Sequence, residues 1–375
     1  MDSETPITSQ NPRQPSVSHP SDDPDRDDLL TQVGRVFDVY EVRQLEDGYK
    51  FYGDPLVDTE TLYKTLYTRF RDLGYSLELD TEYGENVVIA EEPDDSFPWT
   101  NLVLALATFV TTLVAGSLWY SANPVENPAS VLRGLPFALS VMTVLGAHEF
   151  GHYLMSRYHG VDATLPYFIP FPSIIGTMGA VIRVKGVIPD RKALFDIGVA
   201  GPLLGLVATL GVTAVGLTLH PVTNTVPVQL HYPPLYDLIK SFVPTSPALD
   251  QPEVIPNPVV IGGWVGMFVT FLNLIPAGQL DGGHILKSVL GDASRFVSRA
   301  VPVVLFGLGA YVEYVRGLPG TVWFVWGVFS LLVTVAGGAR LIDDSGRVGW
   351  KRTALAVVVF ALGLLSFTPV PVTLP

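Results

Sequence analysis

The sequence is 375 residues long, 48% hydrophobic and only 16% charged, with a formal net charge of −13 and no cysteine. Soluble globular chains carry about 25% charged residues, so the deficit points to long apolar stretches. The negative charge argues against a nucleic-acid partner, and the missing thiols exclude disulfides and leave any metal to His, Asp or Glu.

The charge is segregated. Residues 1–97 hold 23 of the acids and 8 of the bases, while residues 98–375 hold 13 acids and 15 bases. A carboxylate-dense, lysine-poor N-terminal region suits work in high salt, where repulsion is screened. Residues 1–28 are rich in Pro, Ser and Asp and nearly free of bulky apolar side chains, which predicts a disordered acidic tail. No basic region followed by a short apolar core marks a signal peptide. Residues 29–97 read as a small cytosolic α+β domain. Val33–Arg43, Gly48–Tyr52, Tyr75–Leu79 and Asn86–Ala90 carry strand-type composition. Asp58–Leu73 spaces Leu62, Leu66, Phe70 and Leu73 as one face of a helix, with Asp58 or Thr59 as N-cap.

Charge-free apolar runs follow at 97–125, 254–280, 317–339 and 353–375, each long enough to cross a bilayer. The predicted spans are 99–119, 133–157, 193–219, 257–278, 297–316, 319–340 and 353–371, so six or seven in all. The fifth is interrupted by Pro302 and Glu313. Arg157, Arg183, Lys185, Arg191 and Lys192 follow span two; Lys287, Arg295 and Arg299 follow span four; Arg340, Arg347, Lys351 and Arg352 follow span six. These basic loops fall on one side, which the positive-inside rule makes the cytoplasm. A multi-pass cell-membrane protein with a cytoplasmic N-terminus is the expectation.

Span two ends in Val144-Leu-Gly-Ala-His-Glu-Phe-Gly-His152. His148 and His152 lie four apart, so on a helix both imidazoles leave one face and can reach one zinc ion at about 2.0–2.1 Å. Glu149 beside them can take a proton from metal-bound water. A chain with seven histidines rarely forms this pattern by chance, and ionisable groups inside an apolar span are functional by default. A catalytic zinc has three protein ligands and one open position. Asp281, the first charge after the 254–280 run, is the best third ligand; its alternative is a helix N-cap. Pro276, Gly278, Gly282 and Gly283 around it predict irregular backbone, tolerated at membrane depth only where it is buried in protein or lines a cavity.

The HExxH in an apolar helix and the later Asn273-x-x-Pro-x-x-x-Leu-Asp-Gly282 resemble the site-2 protease family of intramembrane zinc metalloproteases. Leu165–Arg183 is similar to that family's membrane-associated β-hairpin, above all in its archaeal, cyanobacterial and chloroplast branch, and Ala200-Gly-Pro-Leu203 to its third core helix. The resemblance covers about 98–290. It implies one catalytic Zn2+ held by His148, His152 and Asp281, Glu149 as base, and Asn273 as the group holding the substrate carbonyl or oxyanion. Asn273 could instead bond between helices. The hairpin around Gly176, Thr177, Met178 and Gly179 would pair with an unwound substrate as an added strand. The implied activity is regulated intramembrane proteolysis: peptide-bond hydrolysis in or near transmembrane segments of membrane-tethered proteins, with Glu149 activating zinc-bound water. Neither an inserted PDZ domain nor a C-terminal nucleotide-binding pair is visible.

Asp196 reads as a helix cap or as a group orienting a ligand histidine, His284 as a helix-end polar residue or a partner of the site, and His159 as a loop residue. The outer loop 220–257, with Tyr232 and Tyr236 and followed by Trp264, suits the membrane interface. The predicted fold is thus an all-α polytopic membrane protein with a membrane-associated β-hairpin plus a small N-terminal α+β domain. It divides into tail 1–28, domain 29–97, core 98–290 and additional helices 291–375. A metal transporter or an inactive scaffold are the competing readings; the first predicts ionisable residues along a path rather than at one depth.

Overall fold

The structure, a computed structural model, describes residues 24–82, 84–92, 96–185, 188–223, 226–246, 249, 254–339 and 341–373. The chain falls into two compact units, Met1–Ser96 and Phe97–Pro375.

The first unit contains α1 (Pro24–Val33), β1 (Phe37–Leu45), β2 (Gly48–Pro55), α2 (Thr59–Asp72), β3 (Ser76–Glu82) and β4 (Glu85–Glu91), with an antiparallel sheet in the order β1-β2-β4-β3. Asp58 caps α2 by accepting from the Thr61 N–H at 3.0 Å. Leu62, Leu66 and Phe70 turn inward from α2, and Phe51 and Val88 from the sheet. The tail reading needs correction at its end. Residues 1–23 lie outside the described residues, but helix α1 begins at Pro24. Leu29 and Val33, four apart on its inner face, are fully buried, a pattern the acidic composition hid. Val33 therefore belongs to a helix, and the first strand starts at Phe37.

The second unit is a helical bundle: α3 (Trp99–Trp119), α4 (Leu135–Tyr158), α5 (Arg191–Thr218), the short α6 (Pro234–Phe242), α7 (Pro258–Asn273), α8 (Asp281–Leu290), α9 (Ser294–Ala310), α10 (Thr321–Ala336) and α11 (Trp350–Leu365). Among the described residues four helical stretches are long and apolar enough to cross a membrane: Trp99–Trp119, Pro128–Tyr158, Arg191–Thr218 and Asp281–Val315. The apolar runs predict six or seven spans. The stretch read as span five is the far part of a 35-residue helical run that starts at Asp281. Helices α7, α10 and α11 have 16 residues each, about 24 Å at 1.5 Å per residue against a hydrocarbon core of about 30 Å. Pro276 follows the end of the first, Gly337 caps the second, and Ser366 caps the third, with Pro369 and Pro371 beyond it. Exposed Leu106, Val110, Val207, Val303, Leu332 and Val357 give the bundle a lipid-compatible exterior.

Helices α4, α5 and α7 pack through small residues. A Cβ on Gly262 would strike Ser140, one on Gly263 Thr213, and one on Gly266 Thr209. Such contacts let backbones approach where hydrophobic burial gives little drive. At one end the three basic loops meet. Leu341–Asp343 pairs in parallel with Ile188–Asp190, Arg191 Nε lies 2.6 Å from Asp344 Oδ1, and Lys287 Nζ donates to the Ala339 carbonyl at 2.5 Å.

Candidate metal centre

The last turns of α4 carry His148 and His152, one helical turn apart and both buried. Their Nε2 atoms are 3.3 Å apart. Asp281 Oδ2 lies 3.2 Å from each. Asp281 arrives because α7 stops at Asn273 and the chain turns before α8 starts. That turn is tight: Gly278 has φ +49°, a Cβ there would lie 2.1 Å from the Val333 carbonyl oxygen, and one on Gly283 2.4 Å from the Gly278 oxygen. Leu280, not Asp281, occupies the N-cap position of α8. The Asp281 carboxylate faces the histidines instead of capping the helix.

Three atoms with separations of 3.2–3.3 Å fit zinc. Tetrahedral bonds of about 2.0–2.1 Å put neighbouring ligand atoms about 3.3 Å apart. Three donors leave a fourth position open, and among the described residues this His148–His152–Asp281 group could hold a metal ion.

The supporting atoms suit the same purpose. His152 donates through Nδ1 to the Ile197 carbonyl of α5 at 2.8 Å, which fixes the tautomer and presents the Nε2 lone pair to the centre. Gly201 and Gly205 of α5 sit where a Cβ would lie 2.0 Å from His152 Nε2 and 3.0 Å from His148 Nδ1. Asn273 Nδ2 lies 3.0 Å from His148 Nε2, so its amide borders the space a metal would take. Glu149 is 6% exposed, and the backbone N–H of Ile182 donates to its carboxylate.

Ile182 directly follows the β-hairpin. Strand Tyr167–Pro170 pairs antiparallel with Thr177–Val181, and α3 holds the hairpin through Asn101 Nδ2 to the Leu165 carbonyl (2.7 Å), Thr111 Oγ1 to the Gly176 carbonyl (2.6 Å) and Trp119 Nε1 to the Ile174 carbonyl (2.8 Å). Gly176 and Gly179 have φ of +86° and +116°. Thr177 is buried and its hydroxyl donates to the Ile169 carbonyl at 2.9 Å, whereas Met178 is 68% exposed.

One residue behaves differently from its sequence reading. Asp196 neither caps α5, a task done by Asp190 on the Ala193 N–H at 2.8 Å, nor touches His148 or His152. It takes a two-pronged bond from Arg352 at 2.8 and 2.7 Å, with His159 Nε2 at 3.1 Å. His284 packs its Cβ against Gly198. The sequence reading missed the Ile197 carbonyl, which no side-chain type announces. It also passed over Gly205, although Gly201-x-x-x-Gly205 is a close-packing signal.

Fold and site together describe a helical bundle with membrane-length apolar helices and a His-Glu-x-x-His motif whose histidines, with a distant aspartate, could hold a metal ion. Residues 136–312 match the family model described as Peptidase family M50, so this stretch of the chain is a domain of that family, the site-2 proteases. It is 30% identical to the probable zinc metalloprotease EGY1, chloroplastic, of Arabidopsis thaliana over 72% of this chain and 51% of the relative. Identity to the rice EGY1 (Oryza sativa subsp. japonica) is 33%, over 64% of this chain and 41% of the relative. For Arabidopsis EGY2, likewise a probable chloroplastic zinc metalloprotease, the values are 31%, 66% and 44%. The chain spans about half the length of the curated relatives it matches. No solved structure matches it.

Proposed function

We propose that the protein is an intramembrane zinc endopeptidase that cuts peptide bonds within or near transmembrane segments of membrane-tethered proteins. The observation that carries the reading is the near-equilateral triangle of His148 Nε2, His152 Nε2 and Asp281 Oδ2, with sides of 3.2–3.3 Å, inside an apolar bundle. Those three residues would hold one Zn2+. When bound, zinc supplies Lewis-acid polarisation of a carbonyl and makes water a stronger acid.

Each remaining task falls to a side chain of the chain itself. Glu149 takes the proton from the attacking water and returns it to the leaving amine. The Asn273 amide donates to the scissile carbonyl oxygen as negative charge grows there. His152 stays in one tautomer because Ile197 accepts its Nδ1 proton. The hairpin, through Gly176, Thr177, Met178 and Gly179, pairs with an unwound stretch of substrate as an added strand. A substrate helix hides its peptide bonds, so Gly or Pro in it eases cutting. The meeting of the basic loops at one end supports a cell-membrane protein with that end, and the N-terminal domain, in the cytoplasm. Release of a tethered regulator is the purpose this chemistry serves.

The test is reconstitution of the full chain with a single-span substrate beside Glu149→Gln. Cleavage by the parent, absent in the variant with zinc retained, supports the proposal. Zinc flux into vesicles without cleavage would instead make it a transporter.

A further inference from the structure

The turn that brings Asp281 to the histidines has a second side. Against it lies a cleft of about 330 Å³, lined by Gly278 of the turn and Gly283 at the start of α8, by Lys287, Arg295 and Arg299, and by Gly337 at the end of α10. The lining contains three cations and a single acid, Asp292. Asp292 is already bound by Arg295 at 2.6 Å. Lys287 donates to the Ala339 carbonyl at 2.5 Å. Neither Lys287 nor Arg299 has a carboxylate partner among the described residues. Two cations left without a carboxylate at the edge of an apolar bundle, Lys287 and Arg299, call for an anion from outside the chain.

The surroundings say which kind. Phe296 and Val303 lie three residues before and four after Arg299, hence on one face of α9, and are 76% and 71% exposed. On α10, Leu332 and Val335 flank Thr334 of the cleft and are 62% and 79% exposed. An apolar strip thus runs from lipid up to the cations. A free phosphate uses the cleft alone; a phospholipid uses cleft and strip together.

We propose that this cleft holds the phosphodiester of an anionic lipid headgroup, its acyl chains lying along Phe296, Val303 and the α10 flank. The lipid also braces the Asp281 turn from behind. The turn has no slack to absorb a change there: Gly278 abuts the Val333 carbonyl of α10, and Gly283 abuts Gly278. Lys287 lies six residues after Asp281 on α8.

The experiment uses the full chain, delipidated in neutral detergent and titrated with dioleoyl phosphatidylglycerol under native mass spectrometry. Lys287→Gln with Arg299→Gln binds this lipid about 25-fold more weakly, about fivefold for each basic residue lost. Arg299→Lys stays close to the parent, as does Arg133→Gln, an exposed cation elsewhere. Should the double variant fail to fold, the order parent, Arg299→Lys, Arg299→Gln carries the test. Equal binding across that order, or equal binding of dioleoyl phosphatidylcholine, overturns the site. Displacement of the lipid by millimolar inorganic phosphate or glycerol 1-phosphate makes it a soluble-anion site and overturns the lipid assignment. Bracing is read from zinc retention against a chromogenic chelator. Phosphatidylglycerol raises retention in the parent and not in the double variant; an equal rise in both, or none in the parent, removes the coupling.

Discussion

A Cβ on residue 201 would fall 2.0 Å from Nε2 of His152. Glycine at this point of α5 is therefore a condition for the imidazole to stand where it does. Gly201→Ala must push the ring off its line or part α4 from α5. Both spoil the 3.2–3.3 Å triangle, and zinc affinity should fall by about 10–100-fold or more, the scale for losing a group that orients a metal ligand. Gly211→Ala on the same helix meets nothing within 4 Å; it should leave zinc content unchanged and stabilise the helix by about 0.5–1 kcal/mol. Metal analysis of the two purified variants separates the outcomes.

Glu149→Gln keeps the shape and the capacity to accept the Ile182 N–H but cannot take a proton. Zinc content should stay near the parent's, while cleavage of a single-span substrate falls by about 10²–10⁴-fold. Cleavage equal to the parent's would remove Glu149 from the chemistry.

Much of this site could be read in the sequence because its chemistry is periodic. Histidines four apart must share a helix face, and a charge ending a long apolar run needs a reason. The turn around Asp281 was legible from Pro276 and the glycines, since few other residues accept such a path. What escaped was contact between distant segments. The Ile197 carbonyl is a backbone atom on another helix, and Arg352 looks like any basic residue of a loop until α11 docks beside Asp196. Helix α1 was missed for a related reason: Leu29 and Val33 are too few to show periodicity against a background of acids. The lengths of α7, α10 and α11 came out shorter than the apolar runs because hydropathy does not register where Pro and Gly break the backbone.

In the first unit, Glu82 accepts from Lys50 Nζ at 2.5 Å and from the Tyr52 hydroxyl at 2.7 Å. These bonds hold the Glu82 carboxyl below its ordinary value, with Lys50 foremost among the causes, and raise the Lys50 ammonium. A depressed carboxylate contributes stability that is whole above the unfolded value, about 4.3, and is lost as pH falls through the folded one. The raised lysine contributes below about 10.4 and loses it as pH rises further. Hydrogen exchange across β2 and β3 should therefore be slowest between these limits, after correction for its intrinsic pH dependence. Glu82→Gln should flatten the acid limb. An unchanged limb would mean that the group contributes nothing to local opening.

Arg352 on α11 grips Asp196 on α5 with two bonds, and His159 at the end of α4 joins them at 3.1 Å. The side chains are about 35% and 18% exposed for Arg352 and Asp196, so water screens the pair in part and the net contribution is modest. Removing one partner leaves the other half-desolvated, for a loss of about 1–2 kcal/mol, or a few degrees in melting temperature for a unit of this size. Arg352→Gln and Asp196→Asn should lower it to a similar extent, and the double variant by less than their sum, since both break one interaction. Asp196 precedes the Ile197 whose carbonyl fixes His152. If the grip also steadies that carbonyl, the single variants should lose zinc to a chelator several-fold faster than the parent at a temperature where all are folded. Equal zinc loss with a lowered melting point would confine the trio to fastening α11.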